Sequence, residues 1–170
     1  MKRTHPVILA VDDDPDDLLF IQRAFQAIGV AAIQTATGGN EAVAYLTGEG
    51  KFSDRTMYPY PDFLISDLKM PEGDGFAVLE HLKLYPEYAV LPAVLLSGSQ
   101  DSDDIRKAYL LGARSYHVKP SSPAALRALV KALYEYWVTC EVPEVDPMGK
   151  QGATAHKLGK RFDGPNAPPR

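Results

Sequence analysis

The chain has 170 residues, 45% hydrophobic and 24% charged, a composition ordinary for one globular domain with a self-sufficient core. Its net charge of -4 argues against a dedicated nucleic-acid binder, which would show a basic face. A single cysteine, Cys140, excludes an intrachain disulfide, and no run reaches the ~20 apolar residues needed to span a bilayer. A cytoplasmic protein without membrane partners is therefore expected.

The first element is Val7 to Val11, a continuous aliphatic run that reads as a strand buried on both faces. Pro15 suits the first turn of a helix, whose apolar set is Leu18, Leu19, Ile21, Ala24, Phe25 and Ile28 and which Gly29 closes. Asp14, Asp16 and Asp17 suit the same helix electrostatically, as acids at its N-terminus. A weak strand over 32–36 and a short helix over 38–46 follow. Residues 47–61, with Gly48, Gly50, Pro59 and Pro61, read as a loop. The alternation then repeats, with strands over 63–65, 93–96 and 115–118 and helices over 75–84, 101–111 and 122–138. Such a βα series implies an α/β fold, a doubly wound (βα)5 with a five-stranded parallel sheet and helices on both faces. Periodicity stops near residue 141, and the Pro- and Gly-containing stretch 141–170 reads as a disordered, mildly basic tail.

In a doubly wound sheet, ligands bind outside the carboxyl ends of the strands. Asp12, Asp13 and Asp14 follow the first strand, Asp67 the third, Ser97 and Gly98 the fourth, and Lys119 the fifth. Clustered carboxylates raise each other's pKa unless a cation joins them. A hard divalent ion answers that need, and Mg²⁺ prefers one or two carboxylates plus waters and phosphate oxygens. A carboxylate beside such an ion can attack a phosphoryl group. Lys119 would supply a second positive charge and Ser97 a hydrogen bond to a phosphoryl oxygen.

The pieces Val7-Ile8-Leu9-Ala10-Val11-Asp12-Asp13, Ser66-Asp67-Leu68-Lys69-Met70-Pro71, Leu95-Leu96-Ser97-Gly98 and Tyr116-His117-Val118-Lys119-Pro120 together resemble the receiver family of response regulators, typified by the chemotaxis receiver. The resemblance covers residues 7–138, each motif at an expected strand end. It implies a flavodoxin-like strand order 2-1-3-4-5, with residues 1–140 as the receiver domain. It implies Asp67 as phosphoacceptor for a sensor histidine kinase. Asp13 would bind Mg²⁺ directly, Asp12 largely through water, and the Lys69 carbonyl as a backbone ligand. Ser97 and Tyr116 would be the switch pair and Lys119 the phosphate-contacting lysine. Gly98 would leave room for the phosphoryl group, and the Lys69 side chain would alter hydrolysis. A receiver catalyses only its own phosphotransfer and dephosphorylation and is not otherwise an enzyme. With no output domain legible, the response would pass to a downstream protein or phosphotransfer protein.

A narrower resemblance rests on the 47–61 loop, Ser99 to Ile105 and Tyr134-Glu135-Tyr136-Trp137, which look like the stand-alone regulators of phytochrome-type histidine kinases. The aromatic helix end reads first as packing; its functional alternative is a homodimer surface. Other readings fit less well. An EF-hand starting at Asp12 would need glycine and glutamate where Asp17 and Arg23 stand. A haloacid-dehalogenase-type phosphatase would need a second aspartate where Lys69 stands. A flavin binder would need a phosphate-cradling loop where the aspartates lie. His5, His81, His117 and His156 show no ligand spacing. The remaining alternative is a receiver-like interaction module that works without phosphorylation, against which the intact Asp13, Asp67, Ser97 and Lys119 set argues.

Overall fold

Strands β1 (Ile8–Val11), β2 (Ile33–Ala36), β3 (Phe63–Ser66), β4 (Ala93–Ser97) and β5 (Ser115–Val118) form one parallel sheet in the order β2-β1-β3-β4-β5 in the computed structural model of the chain. The structure describes residues 6–31, 33–85, 90–143 and 146–149. Helices α1 (Pro15–Gln26), α2 (Gly39–Thr47), α3 (Gly75–Leu84), α4 (Ser102–Leu110) and α5 (Pro123–Thr139) make the crossovers. The expected (βα)5 fold and strand order are both present.

Two-residue alternation along the strands divides the core in two. Ile8, Ala10, Phe63, Ile65, Val94 and Leu96 pack with Leu18, Ile21 and Phe25 of α1 and Val130 and Leu133 of α5. Leu9, Val11, Leu64 and Leu95 pack with α2, α3 and α4, through Tyr45, Leu46, Val78, Leu79, Leu82 and Ala108. β1, β3 and β4 are buried throughout, whereas β2 and β5, at the sheet edges, are only half-buried along most of their length. That edge position explains why β2 reads weakly in the sequence.

Side-chain caps start four helices at the carboxyl edge of the sheet. Asp14 Oδ1 accepts the Asp16 N–H at 2.8 Å, Asp74 Oδ1 that of Ala77 at 2.9 Å, and Asp101 Oδ1 that of Asp103 at 2.8 Å. Ser122 Oγ accepts the Ala125 N–H at 3.2 Å. Each satisfies a backbone donor that the helix itself leaves unpaired. α2 is capped differently: the Gly39 N–H donates to the Gly73 carbonyl at 2.8 Å and the Asn40 N–H to the Glu72 carbonyl at 3.1 Å. This ties the β3–α3 loop to the start of α2. The turn needs φ +78° at Gly73, where a Cβ would also meet the Asn40 side chain.

Most element ends lie within one residue of the sequence reading, but α1 stops at Gln26, two short of the Ile28 that the apolar spacing includes, and Gly29 at φ +83° follows in the closing turn. Val7 precedes β1 and donates its N–H to Asp62 Oδ2 at 2.7 Å, while Asp101 and Ser122 are caps rather than helical residues. The segment 47–61 is more ordered than a plain loop. It holds a 3-10 turn at Gly50–Ser53 and buries Phe52 and Tyr60. The Arg55 guanidinium donates to the Tyr45 carbonyl at 2.7 Å and the Leu46 carbonyl at 2.8 Å, satisfying the end of α2. Ala32, expected to open β2, lies outside the described residues. So do 144–145 and 150–170 of the expected disordered tail; its residues 146–149 form a turn that seats Gly149 against the Tyr60 ring. Among the described residues no helix is long and apolar enough to cross a membrane.

Candidate functional site

The two central carboxylates are held by main-chain bonds that extend the sheet past its last paired residues. The Asp12 N–H donates to the Ala36 carbonyl at 3.1 Å, and the Asp67 N–H to the Val11 carbonyl at 2.8 Å. Asp12 is 1% exposed and Asp67 8%. Asp12 Oδ1 accepts the Asp14 N–H at 3.0 Å, and Asp67 Oδ1 that of Leu68 at 2.7 Å. Asp13 is exposed, yet Asp12, Asp13 and Asp67 each place a carboxylate oxygen within 4.8 Å of the others.

The β3–α3 loop folds tightly over Asp67. The Gly75 N–H donates to the Leu68 carbonyl at 2.8 Å, and a Cβ on Gly75 would stand 2.5 Å from the Asp67 carbonyl oxygen. Gly75→Ala is expected to destabilise the protein by about 1–3 kcal/mol through overpacking against a backbone that cannot yield. Urea denaturation checks this, and wild-type stability in the variant would show that the loop can move aside.

Lys119 enters from the end of β5, its N–H donating to the Ser97 carbonyl at 2.8 Å. Its Nζ lies 2.7 Å from Asp12 Oδ2, 2.6 Å from Asp17 Oδ2 and 3.6 Å from Asp67 Oδ2. Burial pushes the Asp12 carboxyl up, and the Lys119 and Asp14 hydrogen bonds pull it down without prevailing, so it sits above the usual aspartate value. Burial alone would lower the Lys119 ammonium, but its bonds to Asp12 and Asp17 outweigh that and hold it above the usual lysine value. The site is thus an ammonium among carboxylates.

Ser97 and Tyr116 meet through a third residue. The Ser99 N–H donates to Ser97 Oγ at 3.3 Å, and the Tyr116 hydroxyl donates to the Ser99 carbonyl at 2.9 Å. Ser99 Oγ donates to Asp104 Oδ2 at 2.7 Å, and Lys69 Nζ reaches the same oxygen at 2.9 Å. The Lys69 side chain is therefore engaged with α4. A Cβ on Gly98 would meet open space.

The structure brings Asp12, Asp13, Asp67 and Lys119 together, with Ser97, Tyr116 and Lys69 on an adjoining network. Sequence reasoning missed Asp17, Ser99 and Asp104. Asp17 reads locally as a helix N-terminal acid, and nothing short of the fold brings it to Lys119, 102 positions away. Of the aromatic helix end, Tyr134 and Trp137 pack on the core and Tyr136 is 61% exposed.

Three hard oxygen donors around one point suit a hard divalent cation, which relieves both the mutual repulsion and the burial of Asp12. The profile of the response regulator receiver domain matches residues 8–131. The probable methanogenesis regulatory protein FilR2 of Methanothrix harundinacea is 32% identical over 133 residues, 78% of this chain and 83% of that protein. The phosphorylated cyanobacterial phytochrome response regulator RcpA superposes with a TM-score of 0.76 at 33% identity, over 83% of this chain and 100% of that one. The Mn²⁺-bound form of response regulator Rcp1, a protein of Synechocystis sp., superposes with a TM-score of 0.73 at 27% identity, over 82% and 99% of the two chains. The acidic rim, the fold that builds it and these matches agree that the chain belongs to the receiver domain family of response regulators in two-component signalling, and is similar within it to the phytochrome response regulators.

Proposed function

We propose that the chain accepts a phosphoryl group on Asp67 from a sensor histidine kinase, with Mg²⁺ at the Asp12, Asp13 and Asp67 cluster, and passes the signal by changing its protein contacts. One observation carries this reading: residues as distant in sequence as Asp12 and Lys119 place carboxylates and an ammonium within reach of one Asp67 oxygen. Asp13 and Asp67 would hold the cation through carboxylate oxygens, Asp12 largely through water and Lys69 through its backbone carbonyl. When bound, Mg²⁺ supplies charge neutralisation at the phosphoryl oxygens. Asp67 Oδ2 attacks phosphorus as the bond to the donor imidazole nitrogen breaks, and the released imidazole takes up a proton. Lys119 balances charge on a phosphoryl oxygen.

Ser97 then turns its hydroxyl toward the phosphoryl group and Tyr116 follows, shifting a two-state balance. The face made by α4, β5 and α5 carries the exposed Tyr109, Val118 and Tyr136 and is the surface whose partner affinity changes, toward a downstream protein, a phosphotransfer protein or a second copy of the chain. Residues 1–140 would form this switch, with 141–170 as a tail outside it. The chain's chemistry is confined to its own phosphorylation and dephosphorylation. Similarity to RcpA favours a phytochrome-type kinase as donor, and the net charge of -4 favours protein over nucleic-acid partners. The single cysteine and a kinase donor both favour the cytoplasm.

The test is incubation with acetyl phosphate with and without Mg²⁺, read by intact mass. One phosphoryl group added only with Mg²⁺ supports the reading; no adduct, or one indifferent to Mg²⁺, sinks it. Mg²⁺ is also expected to stabilise the fold, by about 2.7 kcal/mol at one hundred times its dissociation constant. Asp13→Asn should lose most of that gain in thermal melts, and retention would place the cation elsewhere.

A further inference from the structure

We infer that Asp17 is a positioning residue for phosphoryl transfer, acting through Lys119; the inference rests on the proposed role of Asp67. An ammonium has three N–H donors. Two of those on Lys119 are committed, to Asp12 Oδ2 at 2.7 Å and Asp17 Oδ2 at 2.6 Å. Asp67 Oδ2, at 3.6 Å, lies beyond hydrogen-bond distance but within charge contact. The remaining N–H is thus held in reserve beside the phosphoacceptor, where an incoming phosphoryl oxygen can take it.

Asp17 is placed for this by a local exchange of partners. It is the third residue of α1, a position whose acidic side chain often turns back to the N-cap N–H. Here Asp12 Oδ1 accepts the Asp14 N–H at 3.0 Å, and the Asp17 carboxylate goes to Lys119. Asp17 also differs from the other two partners of Lys119 in lying outside the three-carboxylate cluster. With a divalent cation at that cluster, the charges of Asp12 and Asp67 would be shared with it, and Asp17 would remain as the counter-ion that keeps Lys119 at the site, anchored to α1. The tether makes Lys119 a pre-aimed donor rather than a mobile one.

In acetyl phosphate labelling at saturating Mg²⁺, Asp17→Asn is expected to slow the rate, by up to about a hundredfold if Lys119 shifts by an ångström. The Mg²⁺ concentration for half-maximal rate should stay put. Because Asp17 acts through Lys119, adding Asp17→Asn to Lys119→Ala should cost nothing further. Equal rates for wild type and Asp17→Asn would overturn the inference. So would an undiminished loss in the Lys119→Ala background, which marks a cap or folding effect, or a shift confined to the Mg²⁺ requirement, which marks a metal-site effect. Failure of the underlying reading looks different: wild type itself takes no label, or Asp67→Asn labels normally.

Discussion

Asp67→Asn abolishes Mg²⁺-dependent labelling by acetyl phosphate: that is the expected result, and the site geometry says why the loss should be complete. Three carboxylates share the rim, but they are not equivalent. Both oxygens of Asp12 are engaged, Oδ1 by the Asp14 N–H at 3.0 Å and Oδ2 by Lys119 at 2.7 Å, and the side chain is 1% exposed. Asp67 Oδ1 is held by the Leu68 N–H at 2.7 Å, which orients the group and leaves Oδ2 facing Lys119 at 3.6 Å. Asp67 is thus both fixed and available. An amide has no anionic oxygen with which to form the acyl phosphate, and no neighbour can take over from the same position. The variant should fold at least as well as the parent, because the Asp67 charge adds to the upward push on Asp12. Intact mass after acetyl phosphate treatment, beside a urea melt, reads both claims. Label persisting at undiminished rate in a folded variant would move the nucleophile elsewhere.

Lys119→Met is expected to destabilise the metal-free protein by about 3–5 kcal/mol near neutral pH, the usual cost of leaving a buried charge without its partner. The deficit should depend on pH in one direction. The Asp12 carboxyl already sits above its ordinary value in the folded chain, chiefly through burial. Folding therefore favours its protonated form, a contribution present at low pH and lost as pH rises through the folded value. Without Lys119 that value climbs further, so the variant should approach wild type in acid and fall behind as Asp12 ionises. The Lys119 ammonium is itself raised, so its contribution lasts through the neutral range and disappears only in strong alkali. Urea midpoints in chelator from mild acid to neutrality measure this, and a pH-independent deficit would mean that Asp12 is not the group left exposed to loss.

The sequence carried the fold through local signals: a fully buried strand shows as Ile8-Leu9-Ala10-Val11, and a helix start as Asp14-Pro15 or Ser122-Pro123. It carried the rim because each chemical residue stands directly after a strand, and strand ends in a parallel sheet share one edge. What stayed hidden depends on side chains crossing between elements. Arg55 is an ordinary loop arginine until the chain folds, when it closes the end of α2. Lys69 and Asp104 are surface charges on separate elements until β3 and β4 pair and bring the following loop and helix together. Asp17 already had a sufficient local explanation, which concealed the one supplied by Lys119.

The Tyr60–Gly149 contact and the Val7–Asp62 bond lie just before β3 begins, whereas Asp67 lies just past its end. Val7 and Gly149 therefore sit at one pole of the sheet while the chemistry occupies the other. A reporter dye or surface anchor attached at either point starts a full strand length away from the rim and would leave the acidic edge open to a kinase.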